Sequence, residues 1–422
     1  MATNGLRQKL RDRVVVKLCL KGKQLAVRYI VRLVRLALKK LPIRQNVLLF
    51  ESFPELDGSP RMIHDELLRR GMDRRYKFVW AVDAAFKAPE GFLCLPFFGR
   101  LGLVDQIRRE IVRAKAKAIV DSNRFVQKLK VGTYRLFTRH GGALKKCDWY
   151  LADLGEVDCC LSLSENLLEA EKTLFHGKIP RLLHLGYPAN DPLFDKVDLY
   201  ALGFWQRLTG RTEPFAKIIG WMPTYRQHRM DAKLNHGTTV FPFGVPLMRT
   251  PDDFRRINDL LDRENILLAI QIHHAQADNF PRERFSHIVT IEQNVKDELG
   301  ISNVCMMQGF DALITDYSGA YHEFVLLDRP IAISVDDYET YAVNPGFALD
   351  FFDWIKGEYL KTEMDLERFV ENVARGRDVA REERQGAKQR LHNHLDNHST
   401  KRVTDLLCAE AGLTVDGTYG NS

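Results

Sequence analysis

The chain has 422 residues, room for two domains of ordinary size, and its 45% apolar and 28% charged content is that of a folded globular protein. Its net charge of +7 is unevenly placed: residues 1–45 hold 13 Lys or Arg against one acid, Asp12, so the total of +7 less this +12 leaves −5 for the rest, which argues against a nucleic-acid-binding body. No run of about 18 uncharged apolar residues is present and the N-terminus lacks the apolar core and cleavage site of a secretory signal, so neither a membrane-spanning helix nor a secreted product is expected.

The first predicted element is helical. Between Lys23 and Lys40, the cations Arg28, Arg32, Arg35 and Lys39 recur at steps of four, three and four, one narrow stripe on a helix otherwise covered by Leu, Val, Ile and Tyr. Such a segment suits the interface of an anionic membrane; packing on the protein body with its arginines wet is the other arrangement the pattern allows. Strands alternating with helices follow. Val47–Phe50, Tyr76–Val82, Lys117–Val120, Cys160–Leu163 and Arg181–Gly186 read as strands, with helices over 61–70 and 102–114 between them. Further strands are expected at Lys217–Met222, Ile266–Ile272, Asn303–Met307, Ala312–Thr315 and Ile331–Ser334, and 364–411 is charged and helical in pattern. So many units exceed one compact sheet. The expected fold is α/β, two Rossmann-like doubly wound domains facing a cleft, divided as a basic segment 1–45, a first domain 46–205, a second domain 206–411 and a tail 412–422. The seven cysteines are odd in number and form no C-x-x-C pair, which points to reduced thiols in the cytoplasm and no zinc site.

The segment Ala312-Leu-Ile-Thr-Asp-Tyr-Ser-Gly319 is the most informative. It is a short buried strand running into a helix with Ser318 near the N-cap and Asp328-Arg329-Pro330 closing it. Free backbone N–H groups at such a start, a hydroxyl at Ser318 and the bare backbone of Gly319 make a seat for phosphate. A plain strand-to-helix turn has the same pattern. Three other strand ends carry candidate groups. His140, before two glycines, is placed to act as a base near neutral pH, with Lys145 and Lys146 beside it to hold phosphate. His273 or His274 ends the strand from Ile266, and Arg226 follows the strand from Lys217, where its planar fork suits a phosphate. Glu323, on the first turns of the helix after Ser318, is placed to accept from a ribose diol. Each of these also reads as an ordinary surface residue when taken alone.

Taken in order, Glu51-Ser-Phe53, Arg139-His-Gly-Gly-Ala-Leu-Lys-Lys146, Gly186-Tyr-Pro-Ala-Asn-Asp191, Met222-Pro-Thr-Tyr-Arg226, Gln271-Ile-His273 and Leu313-Ile-Thr-Asp-Tyr-Ser318 with Arg329-Pro330 resemble the CDP-glycerol glycerophosphotransferase family of teichoic-acid-type polymer synthesis. The resemblance covers about residues 46–375. It implies a GT-B fold and transfer of glycerol phosphate, or a similar polyol phosphate, from a CDP-linked donor to a hydroxyl of a lipid-linked or polymer acceptor, releasing CMP. By position His140 matches the family's base and His273 its second histidine. Thr224, Arg226, Ser318 and Gly319 match the positions that hold the diphosphate, and Glu51, Lys145 and Lys146 are candidates for acceptor or phosphate contacts. No metal and no cofactor are implied. The partners are the donor, the acceptor and, through residues 1–45, the cytoplasmic face of the membrane. Three departures mark this chain: Gly142-Ala143 where Thr-Pro usually follows His-Gly, His274 where a proline usually follows the second histidine, and Gly319 where a second serine usually follows Ser318. A nucleotide-sugar glycosyltransferase of the same fold and a non-catalytic membrane-bound subunit are the alternatives.

Overall fold

The computed structural model describes residues 24–139, 142, 144–146, 156–175, 181–224, 226, 239–272 and 280–414. They fall into two compact units, the first built from the chain up to Phe137, Glu156–Asp158 and the chain from Asp405, the second from Thr138–Gly155 and Cys159–Thr404.

Unit 1 lays five strands side by side in the order β3-β2-β1-β4-β5: β1 Val47–Phe50, β2 Lys77–Asp83, β3 Cys94–Phe98, β4 Ala116–Asp121 and β5 Tyr134–Phe137. All four pairings are parallel, with Val47 opposite Lys77 and Ala118 opposite Tyr134. β1 is buried on both faces and packs Val47 and Leu49 with Val79, Ala81 and Ile119 in one apolar cluster. A strand covered on both sides has no polar face, so its apolar run is continuous rather than alternating. The helix Gly58–Arg69 starts three residues earlier than the apolar pattern indicates, because Asp57 caps it by accepting the Gly58 N–H at 2.7 Å.

The N-terminal helix, 24–40, has three faces. Val31 is buried, and Arg35 makes a bidentate pair with the fully buried Glu110 of the helix Leu103–Lys115, both contacts at 3.1 Å. Arg28, Arg32 and Lys39 form an exposed edge beside this packed side. Beyond them Leu25, Tyr29, Leu33 and Leu36, spaced four, four and three apart, make a second apolar stripe that is exposed. The segment thus packs on the body and still turns an apolar face outward.

Unit 2 contains the parallel pair β6 Cys159–Leu161 and β7 Arg181–Leu183, and a six-stranded parallel sheet. That sheet runs β10-β9-β8-β11-β12-β13, from β8 Lys217–Met222, β9 Ile266–Ile270, β10 Ile288–Thr290, β11 Ala312–Thr315, β12 Ile331–Ser334 and β13 Glu358–Leu360. Its main core joins Ile219, Trp221, Leu268, Ile270 and Ile314 to Phe254, Ile257 and Leu261 of the helix Pro251–Arg263. That helix is started by a reciprocal capping box between Thr250 and Asp253. The expectation of a GT-B-like α/β fold with two parallel sheets holds.

Two sequence expectations fail locally. Asn303–Met307 is a helix, not a strand, because the Ser302 side chain accepts the Cys305 N–H at 3.1 Å and caps it; an apolar run this short has no readable period. β3, β10 and β13 do not stand out in the sequence. All three are edge strands, where a half-covered, mixed segment suffices, and β3 even carries Pro96. The charged 364–411 segment forms the helices Glu363–Ala374, Arg381–Leu391 and Ser399–Ala411. Its end returns to unit 1, where Asp405 pairs with Arg70 at 2.7 Å and Thr414 accepts from Arg75 at 2.6 Å.

Gly220, in the middle of β8, lets the Phe310 ring lie where a Cβ would stand. Gly220→Ala should therefore destabilise the protein by about 1–3 kcal/mol in urea unfolding, the usual cost of overpacking a core. Unchanged stability would mean that Phe310 has space to move aside.

Candidate active site

The order of the six-stranded sheet marks where a ligand would sit. β8 is laid first, the chain moves out through β9 and β10 on one side, then returns to β11, β12 and β13 on the other. The order reverses between β8 and β11, and ligands of open α/β sheets bind outside the carboxyl ends of the strands at that reversal. Thr224 follows β8 there, and Asp316-Tyr-Ser-Gly319 follows β11.

A buried ion network ties the two strand ends together. The Thr224 N–H donates to both carboxylate oxygens of Asp316, at 2.9 and 3.0 Å. Arg226, fully buried, donates through Nη1 to Asp316 at 2.9 Å and to the Thr224 carbonyl at 2.8 Å. Its Nε and Nη2 donate to Asp337, just past β12, at 2.8 and 3.1 Å. The guanidinium also stands over the rings of Tyr317, Tyr341 and Phe241. Burial works against its charge, but Asp316 and Asp337 more than offset that and hold its pKa above the normal arginine value; the same pair keeps Asp337 below the usual carboxylate range despite burial. Arg226 is therefore turned onto protein carboxylates here, where the sequence pattern suggested an open fork.

Beside this network, Ser318 and Gly319 are half-buried. Gly319 is the N-cap of the short helix Ala320–Phe324, and Ser318 Oγ accepts the Ala320 N–H at 3.3 Å. The N–H groups of Ser318 and Gly319 donate to no partner among the described residues. Asp328, with φ of 53°, ends the helical stretch. Glu323 is half-buried on it. The lysine-bearing segment comes to the same place: Lys145 bridges to Phe347, and its Nζ lies 3.5 Å from Thr224 Oγ1. Lys146 is exposed, its N–H bonded to the Gly346 carbonyl at 3.2 Å. Thr224, Lys145, Ser318 and Gly319 are thus brought together from three separate parts of unit 2. His140, His273 and His274 lie outside the described residues.

Upstream of His140, Arg139 is held in the left-handed region at φ of 58° and is buried, its Nη1 on Glu171 at 2.6 Å. A non-glycine residue there costs about 1–3 kcal/mol, and such outliers gather at functional sites.

Glu51 occupies the corresponding reversal in unit 1, between β1 and β4. It is fully buried, and its Oε2 accepts three successive N–H groups, from Ser122, Asn123 and Arg124, at 3.2, 3.1 and 3.0 Å. Oε1 accepts Arg124 Nε at 3.0 Å. Burial and the neighbouring Asp121 push its pKa up to about 7 against these donors. The carboxylate fills an anion seat in the backbone and so shapes the mouth of that sheet, holding Arg124 between itself and Glu55.

Asp316 and Asp337 build the strand-end network, and neither is singled out by the sequence pattern. Asp316 stood inside the recognised segment, and the signal for it was an acid directly after a buried strand; Asp337 had only the pair Asp336-Asp337 past β12. A cavity of about 560 Å³ bordered by Asp198, Tyr200, Trp205 and Arg329 opens at the opposite, amino-terminal edge of the sheet, where Arg329 Nη1 donates to the Gln308 carbonyl at 2.6 Å. It is far from the strand ends at which α/β sheets do chemistry.

A family model described as CDP-glycerol:poly(glycerophosphate) glycerophosphotransferase matches residues 33–409. The chain belongs to that glycerophosphotransferase family. Among its relatives, the teichoic acid poly(glycerol phosphate) polymerase of Bacillus subtilis (strain 168) is 24% identical over 79% of this chain and 45% of its own length, so this chain spans about half of it. The polymerase of the same name from Bacillus spizizenii is 26% identical over 87% of this chain and 92% of its own. The teichoic acid glycerol-phosphate transferase of Staphylococcus aureus is 22% identical over 88% and 94%. Among solved structures, the wall teichoic acid polymerase TagF matches with a TM-score of 0.70 at 16% identity, covering 93% of this chain and 96% of that one. A TagF variant soaked with CDPG matches at 0.69 and 17% identity, covering 90% and 93%. These structural likenesses establish the fold.

Arg226 offers a test of the network. Arg226→Ala would leave Asp316 and Asp337 buried without their cation, and should cost about 3–5 kcal/mol of stability in denaturant unfolding. An open phosphate clamp would lose donor affinity instead and leave stability almost unchanged.

Proposed function

We propose that this glycerophosphotransferase-family protein transfers glycerol phosphate, or a similar polyol phosphate, from a CDP-linked donor to a hydroxyl of a lipid-linked or polymer acceptor, releasing CMP. The observation that carries this reading is the meeting of Thr224, Lys145, Ser318 and Gly319 at the β8–β11 reversal in a chain of this family. The diphosphate rests against the unused N–H groups and hydroxyl of Ser318–Gly319, with the Lys145 ammonium opposite. Arg226 serves by holding Asp316 and Thr224 in register. The second domain, 206–411, is assigned to the donor, with Glu323 accepting from its ribose, and the first, 46–205, to the acceptor.

In the reaction the acceptor oxygen attacks the phosphorus that bears the polyol, and its proton passes to the imidazole of His140. The bond from that phosphorus to the bridging oxygen breaks, and CMP leaves with that oxygen. His273 and Lys145 offset the charge that builds on the transferring group, the kind of positioned electrostatics on which phosphoryl transfer rests. Lys146 and, in unit 1, Glu51 are each assigned a contact to acceptor or phosphate.

The acceptor's lipid is reached through residues 1–45, which bind the cytoplasmic face of the membrane. Support comes from the exposed stripe Leu25, Tyr29, Leu33 and Leu36 lying beside Arg28, Arg32 and Lys39. Apolar insertion next to cations is the arrangement that anionic interfaces hold. No helix of the described residues is long and apolar enough to cross a membrane.

Purified protein given CDP- and UDP-linked donors with a lipid-linked acceptor should release CMP from CDP-glycerol. Release of a nucleoside diphosphate would move it to the glycosyltransferases. His140→Ala should cut CMP release by about a hundredfold or more; a wild-type rate in that variant would remove His140 as the base. Deleting residues 1–45 should abolish flotation with anionic vesicles, and retained flotation would place the membrane contact elsewhere.

A further inference from the structure

The described residues on either side of His140 are pinned. On one side Arg139 is locked to Glu171. On the other the Ala348 N–H donates to the Leu144 carbonyl at 2.9 Å and Lys146 N–H to Gly346 at 3.2 Å. Between these anchors lies Gly142, and against it lies the ring of His322, from the helix Ala320–Phe324 that opens at the phosphate turn. A Cβ at position 142 would come within 2.8 Å of Cε1 and would overlap Cδ2 and Nε2 outright. Real Cβ atoms do not approach this closely, and the imidazole is not the end of a flexible chain that could swing aside.

His322 is an unusual residue to find there. It is about 1% exposed, and among the described residues neither ring nitrogen meets a partner at full hydrogen-bond geometry, although the Gly319 carbonyl lies close enough to favour the protonated ring. Buried polar atoms so poorly partnered are costly and rare. Burial, with His392, Arg139 and Lys145 nearby, pushes its pKa down to about 3, so it is neutral at physiological pH. Its contact with Gly142 is steric. The backbone behind it is fixed in turn, because His392 Nε2 donates to the His322 carbonyl at 2.8 Å. His392 is itself buried and held neutral by that burial.

We propose that Gly142 and His322 are a matched pair in which the flat imidazole seats the bare backbone of Gly142, making His322 a positioning residue that sets the backbone at Gly142, two residues after His140, against the helix that opens at the phosphate-binding turn. This explains from within the molecule why position 142 has no side chain in this chain: the volume is already taken by the residue at 322. The inference rests on the reading of His140 and the 318–319 turn given above.

The test is a double-mutant cycle in the full-length protein, with kcat and KM for CDP-glycerol measured by CMP release and Tm measured alongside. Gly142→Ala should lower kcat at least tenfold with KM changed less than threefold, since the donor seat is untouched. Adding His322→Ala should return kcat to within threefold of His322→Ala alone, because the space is then free. His322→Phe, which keeps a flat ring and has no nitrogen, should stay within threefold of wild type. A harmless Gly142→Ala, a His322→Ala variant at the wild-type rate, or a double variant as slow as the product of the singles would overturn the inference, as would a His322→Phe variant slowed more than threefold. Recovery of Tm without recovery of kcat would reduce the pair to simple packing and overturn the positioning role. A wild-type protein that releases no CMP would sink the functional reading and this role with it, whereas an active wild type with uncoupled substitutions would sink this inference alone.

Discussion

One carboxylate organises the second sheet's working edge. Asp316 sits at the end of β11 with no exposure, accepts the Thr224 N–H with both oxygens and takes a charged hydrogen bond from Arg226. In a dry interior, a carboxylate and a guanidinium attract strongly, but only because each would be so costly alone. The two loops that leave β8 and β11 therefore cannot separate without exposing or orphaning a charge. Asp337 on the far side of Arg226, with Tyr317 and Tyr341 stacked against it, closes the cage. The turn at Ser318–Gly319 follows directly on the strand end that this network ties together.

The two sheets repeat one solution with a different occupant. At the reversal in unit 1, three successive N–H groups converge on one carboxyl oxygen, and that carboxyl is the protein's own Glu51. At the reversal in unit 2, the N–H groups of Ser318 and Gly319 have no protein acceptor among the described residues. Backbone amides left without a partner at the end of a parallel strand attract negative charge. Where the fold supplies its own carboxylate, the seat becomes part of the architecture; the second seat is the one to which the proposed donor diphosphate is assigned.

The N-terminal helix shows how a sequence pattern with two readings can satisfy both. Its Val31 and Arg35 side is committed to unit 1 through the buried Glu110, yet Leu25, Tyr29, Leu33 and Leu36 face outward beside a row of cations. A helix nearly apolar all round has enough surface for a protein contact and a second apolar contact at once. The arginine stripe is divided accordingly, with Arg35 used internally and the others exposed.

By itself the sequence determined the alternation of strands and helices, the buried strands β1, β8, β9, β11 and β12, the turn after Thr315 and the family. These are local or repeated signals: a continuous apolar run means a strand covered on both faces, and a hydroxyl and a glycine before a helix mean a turn. The edge strands β3, β10 and β13 and the capped helix at Asn303 were not readable, because short segments take their conformation from neighbours rather than from their own pattern. Only the tertiary structure decided that Thr224 and Asp316, some 90 residues apart, share hydrogen bonds, that Arg226 faces two carboxylates inside the protein, and that His322 fills the space above Gly142. Spacing along a chain says which side chains could share a strand end. Which of them meet, and which charges are buried in pairs, depends on strand order and packing between distant segments, and no local pattern encodes either.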